Sequence, residues 1–148
     1  MKTAIALTVS LAAFVACGSG GTAAAPKGWR PVPGASAAWT NGAGAQAQQY
    51  TYAHAPFGGA LQDLASSVTI DVLLHYRAAK LERSVPFAPC PGAAGVATFA
   101  LAGGKILQEG FAVSNGQSIR TAYVRPRGAP ADPNVISAMQ TALCIAPA

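Results

Sequence analysis

Two histidines and one aspartate are the residues of this chain whose types and spacing could form a reactive site. Asp71 and His75 lie four residues apart, so a helix there would bring a carboxylate and an imidazole to one face. His54 is the only other imidazole. The three side chains together could bind a metal ion or transfer a proton. The alternative is that both histidines are ordinary surface or hydrogen-bonded residues.

Motifs of the common enzyme classes are absent from the sequence. It contains no GxSxG and no SxxK, and no pairing of a histidine with a free thiol is indicated. The stretch LAGGK, residues 101–105, is too short for a phosphate-binding loop and lacks its Ser or Thr, so it predicts a hairpin turn. We therefore predict a protein that is not an enzyme and uses no cofactor or metal.

An aromatic stripe marks one predicted strand. Tyr50, Tyr52 and His54 share one face of a strand because side chains alternate, and Gln49 and Thr51 face the other way. Such a stripe is either an exposed platform for a ligand or a face that packs into the core. A deep, partly polar cavity beside the two tyrosines would favour capture of a small ligand, and a filled core would exclude it.

The charge is mildly basic. The chain has a formal net charge of +5, and its densest basic group is Arg120, Arg125 and Arg127. These side chains could meet an acidic partner or anionic lipid, although basic residues at a strand end are usually only solvated. A nucleic-acid-binding protein concentrates Lys and Arg on a stripe, and no such stripe is evident, so we predict no nucleic-acid partner.

The amino terminus predicts export. Lys2 precedes a charge-free stretch of about 14 residues, which is the length of a signal-peptide core and too short for a membrane-spanning helix. The stretch ends in FVAC, residues 14–17, which resembles the lipobox of bacterial lipoproteins, although leucine is usual where Phe14 stands. We therefore expect lipid on Cys17. The alternative is an ordinary signal peptide cut near GTAAAP, residues 21–26, where Pro26 makes a poor cleavage site.

The cysteine count agrees with a lipid-bearing Cys17. The chain has three cysteines, and an exported protein needs a fate for the odd thiol. With lipid on Cys17, the remaining Cys90 and Cys144 are expected to form a disulfide in an oxidising compartment. A metal site built from these two cysteines lacks CxxC or HxxxC spacing.

Periodicity predicts one α+β domain that follows a signal segment and a tether. We assign residues 1–17 to the signal peptide, 18–35 to a flexible tether rich in Gly, Ala, Ser and Pro, and 36–148 to the folded domain. The domain is predicted to hold an antiparallel sheet, made of an N-terminal hairpin and a C-terminal meander, packed with two helices. The helices are expected at residues 60–76 and from the N-cap Asp132 to Cys144.

The order hairpin, helix, meander, helix resembles the PsbP-like α/β/α sandwich. Trp29 before the first hairpin and GGALQDLA, residues 58–65, at the start of the first helix also fit this pattern. The fold occurs in photosystem extrinsic proteins and in small bacterial envelope lipoproteins of the LpqN and DcrB type. The resemblance implies a docking or ligand-presenting domain without agreed catalytic residues.

These observations together predict an exported, lipid-anchored binding or scaffolding module of a bacterial envelope. Its expected partners are the membrane, through the lipid on Cys17, and an envelope protein or small ligand. Its expected location is the outer face of the cytoplasmic membrane or the outer membrane. A small-ligand or metal-dependent domain using His54, Asp71 and His75 is the alternative.

Overall fold

Within the described residues, seven strands form one antiparallel sheet. The computed structural model describes residues 23–145. The strands are β1 (Arg30–Pro31), β2 (Ala38–Asn41), β3 (Gln48–Pro56), β4 (Lys80–Pro86), β5 (Ala94–Leu101), β6 (Lys105–Ser114) and β7 (Gln117–Pro126). Their order across the sheet is β1-β2-β3-β7-β6-β5-β4. The predicted α+β class is confirmed, with β2 and β3 as the hairpin and β5 to β7 as the meander.

Two helices pack on opposite faces of the sheet. Helix α1 spans Leu61–His75 and helix α2 spans Pro133–Leu143. Neighbouring residues of a strand point to opposite faces, and on β6 Phe111 packs with the α1 cluster while Ala112 packs with the α2 cluster. The result is three layers with an apolar core on each side of the sheet.

Acidic residues begin both helices near the predicted places. The Asp132 carboxylate accepts a hydrogen bond from the Asn134 amide at 2.8 Å, which confirms it as the N-cap of α2. At α1 the Asp63 carboxylate accepts from the Ala60 amide at 2.9 Å. The observed bounds of α1 lie within one residue of the predicted 60–76.

The glycine at position 110 lets α2 approach the sheet closely. A Cβ atom at Gly110 would lie 2.5 Å from the Thr121 hydroxyl and 2.6 Å from a Leu143 methyl group. Real Cβ contacts are essentially never that short, so a side chain at this position would force the buried Thr121 and Leu143 side chains to shift.

The folded domain begins earlier in the chain than residue 36. The prediction had placed residues 18–35 in a flexible tether. Pro26 and Trp29 are buried, the Trp29 indole donates to the Asp132 carboxylate at 2.9 Å, and β1 pairs with β2. Residues 26–35 therefore belong to the domain. The predicted signal segment, residues 1–17 with Cys17, lies outside the described residues. Between residues 23 and 145, neither helix has the length and apolar character needed to cross a bilayer.

Candidate functional site

The structure does not bring the predicted three-residue site together. His54 lies on the α2 face of β3, with its ring 5.9 Å from that of Tyr52. His75 is exposed at the end of α1 on the other side of the sheet, and its Nδ1 atom contacts the Asp71 carbonyl oxygen at 2.7 Å. Within residues 23–145 no group of three His, Cys, Asp or Glu side chains is arranged to hold a metal ion.

The tyrosine stripe belongs to the core. Tyr50 is fully buried and Tyr52 is 5% exposed, and both pack in the cluster beneath α2. The Trp39 ring stacks on Tyr50 with the centroids 5.8 Å apart. Burial raises the pKa of the Tyr50 hydroxyl, which has no hydrogen-bond partner within the described part of the chain. This face is therefore filled by side chains and offers no open aromatic platform.

Arg120 is half-buried between α1 and the sheet, which it links. Its Nη1 atom donates to the Asp71 carboxylate at 2.6 Å, and its Nη2 atom lies 3.5 Å from the Glu109 carboxylate. Asp71 comes from α1, Glu109 from β6 and Arg120 from β7. One guanidinium thus faces two carboxylates. Because it lies beneath α1 and is engaged with these groups, it is poorly placed to bind an outside partner.

Glu109 is the most perturbed titratable group of this ionic cluster. It is 6% exposed, and burial raises the pKa of its carboxyl to about 7, against the opposing attraction of Arg120. The Asp71 carboxylate raises it further. Burial, followed by the Glu109 charge, also raises the pKa of the Tyr76 hydroxyl. The cluster consequently contains a proton-binding group that titrates near neutral pH.

Sequence reasoning missed Glu109, although a signal for it exists. Leu107, Glu109 and Phe111 alternate along β6, so the acid occupies the same face as two large apolar side chains. An acid at such a position needs a buried cation, and Arg120 on the neighbouring strand is that cation.

Arg125 does not form part of a partner-facing basic group with Arg120. Its guanidinium lies 5.5 Å from the centroid of the Tyr123 ring and 3.5 Å from the side-chain oxygen of Gln108. Arg127 instead forms an ion pair with Glu82. The three arginines therefore have separate surroundings.

The predicted pairing of Cys90 with Cys144 is confirmed by a disulfide between them. It joins the loop between β4 and β5 to the residue that follows α2, with the two Cα atoms 5.6 Å apart. Both cysteines pack against the core beneath α2. The bond therefore holds the C-terminal end of the helix to the sheet, as a structural disulfide does.

A shallow surface groove lies between α1 and the edge strand β4. Two adjoining depressions, each of about 350 Å³, share Ala65 and Ser84 between the helix and the strand. Their remaining walls are Leu61, Gln62, Ser66, Thr69, Ile70, Val85, Pro86, Pro91, Ala94, Gly95 and Phe111. They form a shallow, mainly apolar groove along α1, which we call the α1–β4 groove.

Helix α1 carries large apolar side chains on part of its outer face as well as on its buried face. Leu64, Val68 and Val72 are buried against the sheet, as the four-residue spacing dictates. Three large apolar side chains nevertheless point outward: Ile70 is 58% exposed, Leu73 47% and Leu74 77%. Helix α2 has polar residues on its outer face instead, namely Asn134, Ser137, Gln140 and Thr141. The N-terminal half of α1 exposes polar residues, among them Gln62, Ser66 and Ser67, so the exposed apolar side chains are confined to the C-terminal half of the helix.

No known protein-family model matches this sequence, and no curated protein matches it.

Proposed function

We propose that this protein is an exported, lipid-anchored domain of a cell envelope that acts as a non-catalytic binding or scaffolding module. One observation carries the proposal: the outer face of α1 exposes large apolar side chains beside the α1–β4 groove. Apolar surface of this kind gains free energy when another surface covers it. The function is therefore contact rather than chemistry.

The internal comparison of the two helices supports this interpretation. Ile70 and Ser137 occupy outward positions of α1 and α2, and only the first is a large apolar residue. Scattered exposed apolar residues are ordinary on protein surfaces. Three of them within five residues of one helix, next to an apolar groove, form a continuous patch that favours binding.

The proposed compartment follows from the cysteines and the amino terminus. Structural disulfides persist in oxidising environments, and the Cys90–Cys144 bond fits export. Lipid on Cys17 would hold the domain at a membrane surface. The PsbP-like resemblance belongs to the same proposal, since members of that group are docking and ligand-presenting domains.

The intact mass of the protein from its membrane fraction tests the anchor. We expect a chain that begins at an acylated Cys17, with two thiols that become open to alkylation only after reduction. A soluble chain cut near Ala25, or free thiols without a reductant, would contradict the lipid-anchored module.

Photo-crosslinking in intact cells tests the contact surface. A benzoylphenylalanine at position 70 is expected to give discrete crosslinked products, because Ile70 lies beside the α1–β4 groove. The matched control carries the same group at position 137, on the polar outer face of α2. Equal crosslinking at the two positions would contradict a specific role for α1.

A further inference from the structure

The positive charges of the folded domain gather at one end of the sheet. The strand register shows this. Lys80 of β4 pairs with Ala100 of β5, Ala100 pairs with Ile106 of β6, and Ile106 pairs with Arg125 of β7. The row displaced by one residue, from Val124 through Gln49 and Thr40 to Arg30, reaches the other edge at the same end. We call this end of the sheet the basic end, and it includes the segments that connect the strands there. Its cations are Lys27, Arg30, Arg77, Lys80, Lys105, Arg125 and Arg127.

The opposite end of the sheet is uncharged in its connections. Four connecting segments lie there, residues 32–37, 57–60, 87–93 and 115–116, and none contains Lys, Arg, Asp or Glu. The basic end has seven cations against two acids, Glu82 and Asp132, whereas the only charge beside the opposite connections is the Asp63 carboxylate in the first turn of α1. The charge of the domain is therefore polarised along the strands. A linear reading of the sequence hides this, because the cations come from segments far apart in the chain.

Most of the cations at the basic end are unpaired. The salt bridges formed by residues 23–145 use only Arg127 from this group, with Glu82. Lys27, Arg77 and Lys80 are exposed. Unpaired cations on one surface produce a local positive potential that attracts an anionic surface.

Exposed leucines accompany these cations. Leu74 lies in the last turn of α1, three residues before Arg77, and Leu81 follows Lys80 at the start of β4 with 43% of its surface exposed. Leucines among Lys and Arg are the composition of segments that rest in the interface of an anionic membrane, where the leucines enter the acyl boundary and the cations meet headgroup phosphates. A polynucleotide would use the cations and leave the leucines in water.

The neighbouring sheet edge is protected against pairing with a protein strand. Glu82 forms a bulge in β4, because the register shifts between Leu81 and Arg83. Charged residues and a bulge on an edge strand are the means by which proteins prevent strand addition. These features favour a lipid surface as the occupant of this end.

The length of chain before the basic end agrees with this occupant. Lys27 follows Cys17 by ten residues, which span at most roughly 36 Å when fully extended. Lipid on Cys17 would therefore keep the basic end within reach of the headgroups. This step rests on the proposed function.

We propose that the basic end, with Leu74 and Leu81, docks onto anionic phospholipid and so fixes the orientation of the domain on its membrane. The α1–β4 groove extends from there towards the uncharged end, since its walls include Leu61, Gly95 and Phe111. Docking leaves that part of the groove facing away from the bilayer.

The test follows fluorescence of the full chain on vesicles. A Leu74→Trp variant, purified from membranes, is added to brominated-lipid vesicles of phosphatidylcholine with or without about one third phosphatidylglycerol. The unsubstituted chain gives the background from Trp29 and Trp39. We expect quenching of the new tryptophan only on vesicles that contain phosphatidylglycerol, and weaker quenching at high salt.

Two matched triple variants then locate the docking surface. Lys27→Gln, Arg77→Gln and Lys80→Gln together should lower the ratio of docked to undocked protein about 100-fold, at about fivefold per basic residue. Ser36→Glu, Ala88→Glu and Ala93→Glu change the net charge equally at exposed positions of the uncharged end, and should leave quenching largely intact.

Three results would overturn the proposal: equal quenching on both vesicle types, equal effects of the two triple variants, or displacement of the protein from phosphatidylglycerol vesicles by RNA. Failure of the anchor is seen separately. A chain without lipid does not bind phosphatidylcholine vesicles, yet its quenching on phosphatidylglycerol vesicles still decides whether the basic end docks.

Discussion

Arg120 of β7 and Asp71 of α1 are joined by an ion pair, with 2.6 Å between Nη1 and Oδ2. The second nitrogen of the same guanidinium faces the buried Glu109. Removal of Arg120 would therefore affect two carboxylates with different surroundings. Asp71 is partly exposed and can be hydrated, whereas Glu109 has no route to water comparable with that of Asp71.

Substitution of Arg120 should destabilise the fold, most of all at high pH. Arg120→Met leaves Glu109 buried without its cation, and breaking a buried pair in this way costs about 3–5 kcal/mol. The loss should be smaller at pH 5, where Glu109 accepts a proton. Urea unfolding at pH 5 and pH 8 measures both values, with Arg125→Met as the control. A pH-independent loss would show that Arg120 acts through packing alone.

Glu109 should make the protein less stable as the pH rises. Its folded pKa of about 7 lies above its ordinary value of 4.5, so the folded state binds the proton more tightly than the unfolded state. The contribution of Glu109 to the free energy of unfolding is therefore greatest below pH 4.5. It falls by about 3 kcal/mol in total between pH 4.5 and 7. Glu109→Gln should flatten this part of the curve. An unchanged slope in that variant would assign the dependence to another group.

The elements of the fold could largely be predicted because local patterns determine them. The turn at Asn115 and Gly116 has positive φ angles at both residues, as the SNGQ sequence favours in a two-residue hairpin. The Asp132 carboxylate caps α2 by accepting a hydrogen bond from the Asn134 amide, two residues further along the chain. Neither feature needs a distant partner. The start of the domain was less predictable, because Trp29 is held by a hydrogen bond to Asp132, 103 residues away.

The site could be predicted only in part because its contacts are long-range. The spacing of Asp71 and His75 is helical as expected, but the Asp71 carboxylate bonds to Arg120, 49 residues away. His54 lies on the opposite face of the sheet because it shares the face of Tyr50 and Tyr52, which α2 covers, whereas α1 covers the other face. Sequence patterns do not specify which face each helix covers. The basic end has the same origin: strand register unites cations that are scattered along the chain.

The close contact beneath α2 predicts a strong effect of one methyl group. Gly110→Ala should destabilise the protein by about 1–3 kcal/mol, because the new Cβ meets Thr121 and Leu143 and forces α2 outward. Gly92→Ala adds the same atom where nothing lies within 4 Å and should be nearly neutral. Thermal unfolding of the two variants provides the comparison. Equal midpoints would mean that α2 adjusts without cost.

Loss of the disulfide should reduce stability without changing the sheet. Cys90 and Cys144 are 54 residues apart, and a loop of that size is worth about 4 kcal/mol in the chain-entropy account. The double variant Cys90→Ala and Cys144→Ala should unfold at a lower urea concentration and keep the circular dichroism of the native sheet. Identical midpoints with and without a reductant in the unsubstituted protein would contradict a structural role for the bond.

The two faces of α1 should respond differently to substitution because only one of them stabilises the isolated domain. Val68 is fully buried, and Val68→Ala removes two methyl groups from the core, at a cost of about 1–3 kcal/mol. Ile70 is more than half exposed, so Ile70→Gln should change the free energy of unfolding by no more than about 0.5 kcal/mol. The same variant should nevertheless weaken binding of a partner at the α1–β4 groove, because it places a polar side chain in the wall of that groove. Urea unfolding and the binding measurements, made on one preparation, separate these effects. If Ile70→Gln destabilised the free protein as much as Val68→Ala, the outer face would be part of the fold and its exposed apolar residues would no longer indicate a partner.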